Sequence, residues 1–313
     1  MKILVTGAAG FIGSHFVQYI LNNYDDTLWS LDALTYAGNL KNLDKVMQHS
    51  RHKFIHGNIL NRQLVEELMA NVDAVVNFAA ETHVDRSIND STDFVQSNIV
   101  GTSILLDIAR LVKLKRFIQI STDEVYGSLG STGKFTENSP LSPNSPYSAS
   151  KASADLLAEA AFHTFHQPII ITRCSNNYGP NQNSEKFIPT MIISALNDKK
   201  LPLYGDGLHV RDWIHVADHV RGIDTVLRRG KDGEIYNMGG TVERNNLEIA
   251  QLILKLLNKP ASLIHHVEDR RGHDRRYAID FSKINKELAW STQIEFSKGL
   301  KDTIEWYQNT RIM

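Results

Sequence analysis

Two carboxylic acids stand side by side where an apolar run of the sequence ends. In FIQISTDEVYG, residues 117–127, a strand-type pattern stops at Ser121, and Thr122, Asp123 and Glu124 follow at once. Adjacent carboxyls favour different pKa values, so one can carry a proton while its neighbour is ionised. The pattern does not tell which of the two pKa values rises, and by itself it leaves open why this position carries two acids.

A glycine-rich turn lies near the beginning of the sequence. GAAGFIG places Gly7, Gly10 and Gly13 directly after the first apolar run and at the start of a helical pattern. Glycines with this GxxGxxG spacing let the backbone and the helix N-terminus approach a pyrophosphate. The second strand pattern ends at Asp32, whose carboxylate would accept hydrogen bonds from a ribose and repel a 2′-phosphate. Together these residues predict a dinucleotide site that favours NAD over NADP.

A tyrosine and a lysine lie four residues apart in SPYSASK. Tyr147 and Lys151 share a helix face, and Pro146 suits the first helical turn. A phenol has an ordinary pKa of about 10, but a nearby ammonium and the positive ring of a nicotinamide both favour its ionised form. The pair therefore predicts a base that takes a hydroxyl proton while a hydride leaves for NAD.

The overall composition is typical of a globular protein. The chain has 313 residues, 42% of them hydrophobic and 22% charged, with a formal net charge of −1, which gives no reason to expect a nucleic-acid or membrane partner. No apolar run approaches the ~18 residues of a membrane span, and MKILVTGAAG begins with a strand pattern rather than a leader, so we expect a cytoplasmic protein.

Cysteine and histidine give no metal site. Cys174 is the one cysteine, so the chain can form neither an internal disulfide nor a Cys-rich metal centre, and we expect this residue in the core or lining a pocket. In HHVEDRRGHDRR, His265 and His266 are adjacent and lack well-spaced further ligands. We therefore expect no metal.

Strand-type and helical patterns alternate along the first half of the chain. Apolar runs such as KILVTG, AVVNFAA and PIIITRC alternate with helical stretches. This rhythm predicts an α/β fold, a doubly wound parallel sheet of the Rossmann type with helices on both faces. After Cys174 the loops become rich in Asn, Gly, Pro and aromatic residues. We expect an NAD-binding domain at 1–174 with 213–240, and a smaller, mostly C-terminal substrate-binding lobe at 175–212 with 241–313.

The order of motifs resembles one enzyme family. GAAGFIG, AAETHVDRS, STDEVYG, YSASK, TRCSNNYGP, LYGDGLHVRDW and GHDRRYAID are similar to those of the extended short-chain dehydrogenase/reductases and, within them, the nucleotide-sugar 4,6-dehydratases. The resemblance covers nearly the whole chain. It implies an NAD-dependent lyase that oxidises C4 of dTDP-glucose, eliminates water across C5 and C6 and returns the hydride to C6, giving dTDP-4-keto-6-deoxyglucose for deoxysugar (rhamnose-type) biosynthesis.

The resemblance also implies roles for individual residues. Thr122 would hydrogen-bond the C4 oxygen, Asp123 would be the general acid and Glu124 the general base, beside the catalytic Tyr147 and Lys151. The implied cofactor contacts are Gly7, Gly10, Phe11, Ile12, Gly13, Asp32, Ala33, Leu34, Thr35, Asn58, Ile59, Phe78, Ala79, Ala80, Thr82, Ser97, Tyr147, Lys151 and Asn177. The implied nucleotide-sugar contacts are Thr82, Thr122, Asn176, Lys186, Phe187, Pro202, Tyr204, Arg211, Asn246, Asp269, Arg270, Arg271, Gly272, His273 and Tyr307.

Other activities of the same fold stay open. A UDP-glucose 4,6-dehydratase shares the core motifs, and no spacing separates thymine from uracil. A nucleotide-sugar 4-epimerase has no need of the acid pair, and a non-catalytic dinucleotide sensor has no use for Tyr147 and Lys151. Asn58 and Arg271 stand where the family usually has Asp and Pro, and neither departure touches the chemistry.

The resemblance further implies a homodimer. Its interface would be formed by the helices that contain residues 101–112 and 147–163. Leu105, Ile108 and Leu156 are candidate contacts, but they could equally face the protein's own sheet.

Overall fold

The computed structural model describes residues 1–310, and its centre is a sheet of seven strands. Adjacent strands are parallel throughout. The spatial order is β10 (Ile235–Met238), β6 (Ile169–Cys174), β5 (Arg116–Thr122), β4 (Ala74–Asn77), β1 (Lys2–Thr6), β2 (Thr27–Asp32) and β3 (His52–His56). The inner strands are apolar along their length because helices cover both faces of the sheet. This arrangement confirms the predicted doubly wound α/β fold.

Eleven α-helices occur among the described residues. In chain order they are α1 (Phe11–Asn23), α2 (Arg62–Met69), α3 (Val84–Asn89), α4 (Thr92–Phe94), α5 (Thr102–Leu111), α6 (Pro146–Phe165), α7 (Phe187–Leu196), α8 (Val216–Arg229), α9 (Asn246–Leu256), α10 (Ser282–Leu288) and α11 (Phe296–Thr310). Apolar residues of α1 and α8 pack on one face of the central sheet, together with Trp290. Those of α2, α5 and α6 pack on the other face. The sheet therefore has one core on each side.

Smaller sheets and a third core lie beyond β6. β11 (Val242–Asn245), β9 (Val210–His215) and β7 (Asn176–Tyr178) form one small sheet, and β12 (Ile264–Val267) pairs with β8 (Leu201–Tyr204). Apolar residues of α7, α9 and α11 close the third core. The Asn-rich and Gly-rich stretches that the sequence marked as loops thus include three short strands.

Helix α6 carries the Tyr–Lys pair and begins with a strong cap. The Ser145 hydroxyl accepts a hydrogen bond from the Ser148 amide at 3.1 Å, the Ser148 hydroxyl accepts from the Ser145 amide, and Pro146 occupies the first turn. Tyr147 and Lys151 are both buried. The predicted helix face is therefore turned into the protein.

Two of the three candidate interface residues face the protein's own core. Leu105 and Ile108 are fully buried against the central sheet, whereas Leu156 is 55% exposed. The idea that Leu105 and Ile108 contact a partner is therefore wrong, because the inner side of α5 faces the sheet. Within residues 1–310, no helix has the length and apolar character of a membrane span.

Candidate active site

A cavity of about 510 Å³ lies at the carboxyl ends of the central strands. Open parallel sheets bind their ligands at such strand ends. Of the substrate contacts predicted beyond β6, Asn176 and Lys186 line it. The other predicted residues in its wall are Gly7, Gly10, Phe11, Ile12, Gly13, Asp32, Ala33, Thr35, Asn58, Ile59, Phe78, Ala79, Ala80, Thr82, Ser97, Thr122, Asp123, Glu124, Tyr147, Lys151 and Asn177. The glycine turn, the acid pair and the Tyr–Lys pair therefore share one site.

The glycine turn presents a helix N-terminus to this cavity. Gly7 has a φ of +65°, and a Cβ atom on Gly13 would collide with the Gly7 carbonyl oxygen, so the turn depends on glycine at both positions. Gly10 precedes α1 without a side-chain cap, and the first turn of α1 holds no acidic residue. An uncapped helix N-terminus with glycines around it fits a pyrophosphate.

Asp32 is fixed by two backbone amides at the end of β2. Its Oδ2 accepts a hydrogen bond from the Ala9 amide at 2.8 Å, and its Oδ1 accepts from the Leu34 amide at 2.8 Å. Burial raises the pKa of Asp32, and the two amides act in the opposite direction. The carboxylate is thereby oriented toward the cavity as an acceptor, which fits a ribose. Leu34 does not line the cavity and contributes this amide instead.

The acid pair begins a short 3₁₀ turn, Asp123–Tyr126, at the end of β5. The Thr122 hydroxyl accepts a hydrogen bond from the Glu124 amide at 3.3 Å and lies 3.3 Å from Asp123 Oδ1, to which it donates. Asp123 is buried, and its Oδ2 has no hydrogen-bond partner in the described part of the chain. An unpartnered carboxyl oxygen in a cavity wall is free to meet a ligand.

Burial raises the pKa of both acids, but their surroundings differ. The pKa of Asp123 lies well above its ordinary value because of burial and the nearby carboxylates of Glu124 and Asp212. Burial also raises the pKa of Glu124, but the positive charges of Arg270, Arg211 and Lys186 oppose that rise. The rise is therefore the larger one for Asp123, so Asp123 holds a proton more strongly than Glu124 does, which supports the predicted division of roles.

Three cations from separate segments thus surround Glu124. Lys186 Nζ donates to the Thr82 carbonyl at 2.7 Å, and the Arg211 guanidinium lies 4.4 Å from the centre of the Tyr277 ring. Arg270 Nε lies 3.7 Å from Asp85 Oδ1 and is without a hydrogen-bond partner within residues 1–310. Arg211 and Arg270 do not line the cavity wall. Their positive charges nevertheless act on Glu124 and oppose the rise of its pKa.

The Tyr–Lys pair differs from the prediction in its electrostatics. Burial and the negative charges around Tyr147, Glu124 first among them, raise the pKa of its phenol well above the ordinary value. Lys151 Nζ donates to the Ile120 carbonyl at 2.6 Å, and burial lowers the pKa of its ammonium. In the chain alone the phenol of Tyr147 therefore favours its protonated form, and the prediction depends on its other part, the positive ring of a bound nicotinamide.

The remaining predicted substrate contacts also lie outside the cavity wall. These residues are Phe187, Pro202, Tyr204, Asn246, Asp269, Arg271, Gly272, His273 and Tyr307. The Tyr204 hydroxyl reaches Asp85 at 3.4 Å, and the His273 ring stacks on the His209 ring with centroids 3.6 Å apart. Asp269 Oδ1 lies 2.7 Å from His273 Nδ1. No sequence pattern predicts this stack of His209 on His273.

Comparisons with known proteins agree on one family. A family model described as GDP-mannose 4,6 dehydratase matches residues 4–303. The chain is 51% identical to the low-salt glycan biosynthesis protein Agl12 of Haloferax volcanii, over 98% of each chain, and 49% identical to a dTDP-glucose 4,6-dehydratase of Actinoplanes sp., over 99% of each. The chain belongs to the GDP-mannose 4,6 dehydratase family.

A solved structure of the same family gives a close match. The dTDP-glucose 4,6-dehydratase DesIV of Streptomyces venezuelae, crystallised with NAD bound, superposes with a TM-score of 0.98 at 47% identity, over 99% of this chain and 98% of that one. This likeness confirms the resemblance seen in the motifs. It is also consistent with the glycine turn and Asp32 as parts of a dinucleotide site.

Several cavity residues were missed by sequence reasoning. Glu81 and Trp306 line the cavity, and each is the direct neighbour of a predicted residue. On α11, Trp306 faces the cavity, while Tyr307 is buried and directs its hydroxyl at the Gln182 carbonyl, 2.6 Å away. The sequence did not tell which side of α11 faces the cavity, and that orientation would have pointed to Trp306 rather than Tyr307. Cys174 is buried and also lines the cavity, in agreement with its predicted environment.

The two departures from the family pattern lie at exposed positions. Asn58 is exposed at the cavity edge, and its Oδ1 accepts a hydrogen bond from the Leu60 amide at 2.9 Å. Arg271 is exposed in the turn that contains Gly272, whose φ is +64°. Neither residue contacts the acid pair.

Proposed function

We propose that this chain is an NAD-dependent dTDP-glucose 4,6-dehydratase that forms a 4-keto-6-deoxy sugar. The observation that carries the proposal is the acid pair, which lines the same cavity as the glycine turn and in which Asp123 holds a proton more strongly than Glu124 does. The names of the Actinoplanes and Streptomyces relatives support dTDP-glucose as the substrate.

NAD would lie along the glycine turn, with Asp32 at its ribose and Tyr147 near the reacting end. When bound, NAD supplies a hydride acceptor for C4, the same hydride for C6, and a positive ring charge that favours the phenolate of Tyr147. Tyr147 takes the proton of the C4 hydroxyl, and Thr122 hydrogen-bonds the C4 oxygen. Lys151 holds its positive charge beneath this centre.

The acid pair then carries out the elimination. A C4 ketone makes the C5 hydrogen acidic, so Glu124 can remove it as a proton. Asp123 donates its proton to the C6 hydroxyl, which leaves as water. Glu124 later returns a proton to C5 as the hydride reaches C6. The net change is loss of one water, and Asp123 must regain the proton that Tyr147 took before the next turnover.

Cations would neutralise the nucleoside diphosphate. Lys186, Arg211 and Arg270 provide this charge in the same region as Glu124. Of the three, Lys186 lines the cavity and is the first candidate, whereas Arg211 and Arg270 lie outside its wall. The predicted lobe at 175–212 with 241–313 is part of the proposal, as the source of these three residues.

The decisive assay uses purified protein without added reductant. dTDP-glucose and UDP-glucose are incubated separately in D₂O, and the products are analysed by mass spectrometry and NMR. We expect loss of water from dTDP-glucose and deuterium at C5. Product from UDP-glucose alone would overturn the choice of dTDP over UDP as the nucleotide. Epimerised hexose without loss of water would overturn the dehydratase assignment.

A homodimer and a cytoplasmic location are also proposed. Exposed apolar side chains on α5 and α6 support the dimer: Leu111, Leu156 and Phe165 are all more than half exposed. Light scattering of the purified protein should give twice the chain mass. The Leu156→Glu variant should shift it toward the monomer, and a monomeric wild-type protein would refute the dimer.

A further inference from the structure

A buried ion pair lies directly behind the acid pair. Arg173 on β6 and Asp155 on α6 are almost fully buried, and Arg173 Nε donates to Asp155 Oδ2 at 2.8 Å. Neither residue lines the cavity. The pair therefore belongs to the interior and has no direct access to a ligand in the cavity.

The ion pair is bonded to the residues that flank Asp123 and Glu124. The Ser121 hydroxyl donates to Asp155 Oδ2 at 2.9 Å, on the strand side of the acid pair. On the other side, Arg173 Nη1 donates to the Tyr126 hydroxyl at 3.1 Å. One buried ion pair thus holds both ends of the turn that presents the acids.

Tyr126 extends the connection to the edge of the sheet. Its hydroxyl donates to Asn237 Oδ1 on β10 at 2.9 Å, and its ring stacks on Phe135 with centroids 5.1 Å apart. The backbone amide of Asn237 in turn donates to Glu137 Oε1 at 2.9 Å. The hydroxyl of Tyr126 is therefore both acceptor and donor, and the side chain has one orientation.

The cost of this arrangement argues against a purely stabilising role. A buried ion pair is often no more stable than apolar residues of the same volume, because both charges lose their water. Asp155 Oδ1 is buried and has no hydrogen-bond partner in residues 1–310, which adds to that cost. The ion pair instead fixes the geometry at Ser121 and Tyr126, each two or three residues from both acids.

We propose that Tyr126, Asp155 and Arg173 are positioning residues that hold the Asp123–Tyr126 turn, so that both acids face the hexose. The inference rests on the proposed dehydratase function. It assigns the three residues to the elimination step, since they hold the acid pair. Displacement of a reacting group by about 1 Å can lower a rate by as much as 100-fold.

The first test removes one hydroxyl and compares the variant with a matched control variant. Tyr126→Phe removes the hydroxyl between Arg173 and Asn237 and keeps the ring. Tyr236→Phe is the control, because Tyr236 is equally buried, bonds Glu287 through its hydroxyl at 3.2 Å and does not line the cavity. We expect kcat to fall about 10-fold to 100-fold in Tyr126→Phe with KM unchanged, and to stay at the wild-type value in Tyr236→Phe.

Single-turnover kinetics separate positioning from loss of stability. In Tyr126→Phe, deuterium entry at C5 should slow, while reduced nicotinamide should form at the wild-type rate, because the substitution leaves Asp155, Tyr147 and Lys151 on α6 unchanged. Equal slowing of both signals, or equal kcat in Tyr126→Phe and Tyr236→Phe, would contradict the inference. A wild-type protein that forms no dehydrated product would instead refute the proposed function.

A second variant tests the other end of the turn. Ser121→Ala removes the bond to Asp155 and should also lower kcat. If the Arg173–Asp155 ion pair is a common frame that holds both ends of the turn, the fall in kcat of the double variant Ser121→Ala, Tyr126→Phe should be smaller than the product of the two single falls. Multiplicative losses would show that the two ends act independently and would overturn the common frame.

Discussion

Asp32 and Asp123 occupy equivalent places in the fold but have opposite environments. Each is buried at the carboxyl end of a central strand and lines the same cavity. Both oxygens of Asp32 accept hydrogen bonds from backbone amides, whereas Asp123 Oδ2 has no partner among residues 1–310. Asp123 also lies beside the carboxylates of Glu124 and Asp212, which raise its pKa.

This difference separates an acid that recognises from an acid that reacts. Amide donors favour the ionised carboxylate, so Asp32 is suited to accept hydrogen bonds without exchanging a proton. Negative neighbours and burial favour the neutral acid, so Asp123 is suited to donate a proton. Their position at a strand end brings both Asp32 and Asp123 to the cavity. The nearby hydrogen-bond donors and charges then decide whether the carboxyl is suited to recognition or to proton transfer.

The largest expected effect is at the base next to Asp123. Glu124→Gln keeps the shape of the side chain but removes the carboxylate proposed to take the C5 proton, so kcat should fall by about 10²-fold to 10⁴-fold. Deuterium exchange at C5 should stop, and NAD affinity should not change, because the glycine turn and Asp32 are intact. Undiminished exchange would remove Glu124 from this role.

A second prediction concerns the recognising acid. In Asp32→Asn, one of the two backbone amides faces an NH₂ group and loses its acceptor, at a cost of about 1–3 kcal/mol. We expect a lower Tm and NAD affinity weakened about 10-fold, as measured by calorimetry, with the C5 exchange step unaffected once NAD saturates. An unchanged Tm would show that the two amide bonds contribute little.

The same substitution at the reacting acid should stabilise the protein. The pKa of Asp123 is raised in the folded state above its ordinary value of 3.8, so the residue costs stability as pH rises above that value. Asp123→Asn removes this cost, and Tm should rise by about 1–3 °C at pH 7 while kcat falls about 10²-fold. The gain in Tm should vanish at low pH. A lower Tm at pH 7 would contradict the assigned environment.

The smallest expected effect is a change in pH dependence. Asp212 is buried, its own pKa is raised to about 7 by that burial, and its charge raises the pKa of Asp123. In the proposed mechanism the protonated form of Asp123 is the active one, so activity should fall on the alkaline side as Asp123 ionises. Asp212→Asn lowers the pKa of Asp123 and should move that limb of the kcat profile to lower pH.

Asp224→Asn provides the matched control for this pH profile. Asp224 is a buried carboxyl on α8 that bonds Arg228 and Tyr24, and it does not line the cavity. Its replacement should leave the alkaline limb unchanged. An equal shift in both variants would show that the effect is not specific to Asp212.

The dinucleotide side of the site was predictable because its signals are local. Gly7, Gly10, Gly13 and Asp32 lie on consecutive elements, and their spacing alone indicates a helix N-terminus next to an acid. The alternation of apolar and helical segments likewise predicted the central sheet. Proline and serine before Tyr147 marked the beginning of α6, which the structure confirms.

The reacting side depends on contacts that no local pattern contains. Asp212 lies within the strand pattern VRDWIH, and nothing in its neighbourhood along the chain indicates that it faces Asp123. The Arg173–Asp155 pair joins a strand to a helix 18 residues earlier. β7, with the sequence NNY, has poor strand propensity and forms because it pairs with β9. Such features follow from tertiary packing, which spacing cannot supply.

The position of β10 at the sheet edge has a consequence for synthesis of the chain. Strand β6 is complete at Cys174, but its outer edge is paired only by Ile235–Met238. A nascent chain that has not reached residue 238 therefore presents an open strand edge, which is a template for association with other chains. We expect fragments that end before residue 235 to aggregate, and fragments that include β10 and α10 to do so less.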